Sequence, residues 1–198
     1  MRIATLTTVA AFALAAAACN NNQAANDVST DVNLAEDTAA NDVLGANAMT
    51  DNEAAVALPT DASGFATAAA ASDLYEIESA KLAASKAASA DIKSFAQHVR
   101  TDHEKSSAEL KSMAASANVT VTPALDAEKQ RMLDQLKAAN GAEFDRLFLD
   151  QQKTAHQKAL SLHQGYASGG DNAALKGFAS KTAGVVKGHL DHANSIKL

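Results

Sequence analysis

The sequence predicts an all-α domain: an up-and-down bundle of four long helices with one additional short helix. Three observations predict it. Hydrophobic residues are 47% of the 198, yet aromatics are only 4%. The surplus is alanine, the strongest helix former. Apolar residues recur at three- and four-residue steps through four long stretches after residue 60, as one helix face requires. Trp is absent and Pro occurs twice, which disfavours a large β fold.

The first sixty residues read differently. Met1 to Ala18 has the pattern of an export signal: Arg2, a predominantly apolar run from Ile3 to Ala15, then Ala16, Ala17 and Ala18 before Cys19. The apolar run is too short to span a bilayer as a mature helix. The lone cysteine cannot form an internal disulfide. Its position resembles that of a bacterial lipoprotein signal, in which Cys19 is lipidated and becomes the new N-terminus. Asn20 follows it, rather than the Asp that retains lipoproteins at the inner membrane. The implied address is the outer membrane, with the membrane as partner through the lipid on Cys19. Cleavage after Ala-x-Ala, giving a soluble periplasmic protein, is the rival reading.

Residues 19–60 are expected to form a disordered acidic linker. Asp27, Asp31, Glu36, Asp37, Asp42, Asp51 and Glu53 lie there without one Lys or Arg, and no hydrophobic period persists. Such a segment buries too little apolar surface to offset its ordering entropy. Without those seven, 16 of the 23 acids remain, against 16 bases once Arg2 is set aside. The domain over 61–198 is thus neutral, with no basic face to bind nucleic acid.

The helices follow in order. Asp61 or Ser63 caps a first helix to about Ala88, with Phe65, Ala69, Ser72, Glu76, Ala80 and Ala83 on one face. Ser89 caps a second to Ala117, striped by Ile92, Ala96, Val99, His103, Leu110 and Ala114. After the break at 118–122, Thr122-Pro123 predicts the start of the short helix, which ends at Asn140-Gly141. Ala142 to Ala167 is the next long helix, striped by Phe144, Phe148, Ala155, Ala159, Leu162 and Tyr166, with Asp145, Gln152, His156 and His163 along one edge. Gly169-Gly170 stops it, and Asp171 is the expected cap of the last helix, whose stripe includes Leu175, Phe178, Thr182, Val186, His189 and Ala193.

Four ionisable groups therefore fall on or beside apolar faces, one per long helix: Glu76, His103, His156 and His189. Facing helices of a bundle can converge such groups on one ion. Three imidazoles and a carboxylate suit Zn, Fe, Mn or Cu. Asp102, Asp145 and His192 are candidates for supporting positions, and His98, His163 and His192 read as surface or rim residues. The competing reading is structural: an interaction bundle without metal, whose histidines are hydrogen-bonded packing residues. Phosphate loops and the motifs CxxC, HExxH and GxSxG are absent, so no catalytic residue is assigned.

The stretch FATAAAASDLYEIESAKLAASKAASADIKSFAQHVRTDHEKSSAELK, then GAEFDRLF with the downstream His156, then LKGFASKTAGVVKGHL resembles a bacterial family of unknown function. That family is described as predicted outer membrane proteins with a ferritin-like helical bundle. The resemblance runs from Ser63 to Leu198 and implies Glu76, Asp102, His103, Asp145, His156 and His189 as matching positions. Gly184-Val185 stands where the family has Leu-Pro, so the last helix lacks the expected proline. Di-iron carboxylate bundles carry Glu-x-x-His pairs. Here Arg100, Lys153 and Val186 stand three before the histidines, which argues against di-iron chemistry.

Overall fold

A computed structural model describes residues 57–198; the signal sequence, Cys19 and the linker up to residue 56 lie outside the described residues. The described residues are all-helical, with five helices and no strand. These are α1 (Ala62–Lys86), α2 (Ala90–Ser116), α3 (Ala127–Ala138), α4 (Gly141–Gly169) and α5 (Ala173–Ser195). None is long and apolar enough to cross a membrane. The α5 helix runs unbroken, as the missing proline predicts.

Local chemistry sets the ends. Asp61, Ser89 and Asn172 each accept a backbone N–H of the first turn they precede. Two expected starts move. The short helix begins at Ala127 with Asp126 as its cap, not at Thr122-Pro123, because the Asp126 carboxylate takes both the backbone N–H of Lys129 and its ammonium. Asp171 does not cap α5, because its carboxylate accepts the Tyr166 hydroxyl at 2.9 Å. At the end of α2, Asn118 adopts φ 57°. The amides of Asn118 and Val119 return to the carbonyls of Ala115 and Ala114, a Schellman closure that needs a left-handed residue.

The long helices form a cycle in which α1 touches α2 and α4, and α5 touches both as well. Their contacts fix the directions. Asp73 meets His103, Glu76 meets Gln152, Phe65 stacks on Tyr166, and Glu109 meets Lys181. Every neighbouring pair is thus antiparallel, while α2 and α4 run the same way on opposite corners. This corrects the expected up-and-down order to up-down-down-up. The physical reason is the connection over 117–140. A helix the length of α2 spans about 40 Å at 1.5 Å per residue. The connection, with α3 inside it, is long enough to return the chain to the starting end. Lys86 ties that return down, donating to the carbonyls of Lys137 and Ala139 and to the Asn140 side chain.

The core has two apolar compartments. One, around Ile92, Phe95, Val99, Leu136, Phe144 and Phe148, fills the end where α1 meets α2. The other, around Phe65, Leu110, Tyr166, Leu175 and Phe178, fills the opposite end. Between them lies a layer of buried polar side chains: Asp73 and Glu76 from α1, His103 from α2, Gln152 and His156 from α4, and His189 from α5.

Candidate metal centre

The polar layer draws its parts from four helices. One ring nitrogen each from His103, His156 and His189 lies within 4.8 Å of the other two. Their ring centroids are 5.4–5.6 Å apart. The structure thus brings together the three stripe histidines.

Each ring is oriented from behind by an oxygen. His103 Nδ1 lies 2.8 Å from Asp73 Oδ1, and Ser107 donates to the other oxygen of that carboxylate. His156 Nδ1 donates to the Gln152 carbonyl at 2.9 Å, one turn back on its own helix. His189 Nε2 donates to Asp102 Oδ2 at 3.0 Å. These oxygens accept only, so they fix the tautomers: Nδ1 of His156 and Nε2 of His189 carry the protons. The bare nitrogens, His156 Nε2 and His189 Nδ1, then face each other at 3.3 Å. The remaining ring atom of the trio, His103 Nε2, is buried without a hydrogen-bond partner.

Burial dominates the titration. It pushes His156 down to about 3 and His189 down to about 4, and the nearby His103 adds to both shifts. His103 goes the other way: burial opposes its charge, but the Asp73 hydrogen bond and the charges of Glu76, Asp73 and Asp102 prevail and raise it. Glu76 is pushed up to about 7, by burial first, partly offset by His103 and by the Gln152 hydrogen bond.

The other expected site residues are placed as follows. Glu76 is fully buried, but it stands behind His156, with Oε1 3.6 Å from Nδ1, and it is not in the converging group. Its Oε2 accepts from Gln152 at 2.7 Å, while Oε1 has no hydrogen-bond partner. Asp102 sits half-exposed beside His189. Asp145 is not near the histidines: it corrects to a structural position, accepting the backbone N–H groups of Ala88 and Ser89 at 3.1 and 2.8 Å. His192 is exposed, edge-on to Phe95 at 5.2 Å and facing His98 at 6.3 Å, outside the converging group. His163, expected at the rim, is buried against Phe65 and Phe178. Sequence reasoning missed Asp73 altogether, and it passed over Gln152 as an edge residue.

No curated protein and no solved structure matches the chain. The model of one family, a domain of unknown function (DUF4142), matches residues 47–196, which include every residue of the polar layer. The chain belongs to that family.

Proposed function

We propose that the polar layer binds one divalent transition metal, with His103, His156 and His189 as ligands. The observation that carries this is the pair of bare nitrogens, His156 Nε2 and His189 Nδ1, 3.3 Å apart. Two lone pairs at that distance repel in a dry interior, and a cation between them removes the repulsion. Nitrogens bound tetrahedrally at 2.0–2.1 Å from one ion stand about 3.4 Å apart. His103 Nε2, buried and unpartnered, supplies the third donor. The outward hydrogen bonds to Asp73, the Gln152 carbonyl and Asp102 are the kind that orient metal-bound imidazoles and raise their basicity. Three imidazoles suit zinc or copper better than manganese, and iron remains compatible.

Glu76 acts in this reading from behind His156, with its carboxyl 3.6 Å from Nδ1 rather than on the ion. The single crossover connection supports a ferritin-like arrangement of the bundle. The donor set is not the carboxylate-rich set of a di-iron centre, so a mononuclear site follows.

The test is metal uptake by the full chain, stripped with chelator and titrated with Zn2+ or Co2+. About one equivalent per chain is expected, lost in His103→Ala and His156→Ala and kept in His98→Ala. Folded protein that takes up none overturns the reading and leaves the layer as hydrogen-bonded packing. We also propose that Cys19 carries a lipid anchor, supported by the pattern before it. Cys19→Ser is expected to shift the protein from the membrane fraction to the soluble one; unchanged attachment would remove acylation at that residue.

A further inference from the structure

We infer that the metal centre is open to a small external ligand, water or a monoanion of azide size, through a cleft between α2 and α5. The inference rests on the metal reading and adds where a further ligand enters and how large it can be. The cleft has a volume of about 60 Å3 and is lined by Asp102, His103, Ser106, Lys181, Thr182 and Val186, among others. His103 is the α2 member of the histidine trio, so the cleft abuts the centre at that ring, while His156 and His189 lie behind it. The trio's α4 member, His156, has no exposed surface.

Two of the lining residues carry buried polar atoms with no partner: His103 Nε2 and Ser106 Oγ. Buried polar atoms are rarely left unpaired, and roomy polar cavities take guests that satisfy them. A metal ion satisfies the ring nitrogen but not the hydroxyl. Ser106 can donate to a guest lying between it and the ion. One water needs about 10–15 Å3 of such space, so this cleft admits a few waters or one triatomic anion, and excludes an organic substrate.

The donor set agrees with a further ligand. Imidazole donors add no charge of their own to a divalent ion, and three protein donors leave a fourth position free. At the mouth, Lys181 is already paired with Glu109 at 2.7 Å, and Asp102 with His189 at 3.0 Å. Neither mouth carboxylate is therefore a free competitor for the ion.

The experiment uses the full chain loaded with Co2+, whose visible absorption reports the coordination sphere. Titration with sodium azide is expected to shift the bands saturably in the wild type. Ser106→Leu fills the cleft, and is expected to keep cobalt stoichiometry while weakening the azide response roughly tenfold or more. Val185→Trp, at the half-exposed mouth, obstructs the same path without touching the core and is expected to act in the same direction. Failure to take up cobalt overturns the metal reading itself. Cobalt uptake with no azide response overturns the open position alone. An azide response untouched by both substitutions overturns the α2–α5 route.

Discussion

Replacing His163 with leucine is expected to make the metal-free protein markedly more resistant to acid. His163 sits among apolar rings, edge-on to Phe65 at 5.5 Å and near Phe178 at 5.9 Å, and its Nδ1 has no hydrogen-bond partner. Burial pushes its pKa down to about 4; Asp73 opposes the shift and His103 reinforces it. The folded state therefore holds the ring neutral. An unfolded ring protonates near 6.5. The stability contributed by this group is fully present above pH 6.5 and is lost as pH falls toward 4. By linkage the loss reaches about 3 kcal/mol at pH 4.

Leucine cannot titrate, so the variant escapes this term. At pH 7 the two proteins are expected to differ by only about 1 kcal/mol, since lost edge-to-face contacts offset the removal of an unsatisfied nitrogen. Denaturant unfolding between pH 7 and pH 4, in chelator, measures the difference. Curves that stay parallel across that range would place the acid sensitivity elsewhere.

Asp145→Ala is expected to cost about 3 kcal/mol and to lower the melting temperature by roughly 10 °C, through two charge-assisted hydrogen bonds. Its carboxylate holds the backbone N–H groups of Ala88 and Ser89, so α4 clamps the turn where α1 reverses into α2. Alanine leaves both donors without their partner. Metal stoichiometry is expected to be unchanged, because this turn lies at the bundle end, away from the histidines. Thermal unfolding and elemental analysis of the same sample separate the two effects. A stable variant that has lost its metal would put Asp145 back at the centre.

Much of this molecule was legible in the residue pattern. The α2, α4 and α5 stripes are wide and regular, so histidines at 103 and 189 stood out as interruptions of apolar faces. The α1 helix was opaque for a physical reason. Alanine is nine of its 25 residues and falls on every side, so hydrophobicity does not select the inward one; Phe65 and Tyr75 do, by size. That is why Asp73, buried at 2% exposure, went unnoticed beside Ser72 and Glu76. The common depth of the three rings was also out of reach. It depends on helix directions, which the return through α3 sets and which periodicity does not encode. Pro123 misled because a proline at a helix start is permitted, whereas Asp126 bonds the first turn directly.

The polar layer has a mechanical consequence. It divides the bundle's oily interior into two chambers that sit at opposite ends of the same four rods. If the proposed ion sits there, it rivets three of the rods together at mid-length, between the two chambers. Metal-loaded and stripped protein are then expected to differ in whether the two ends loosen together or one at a time.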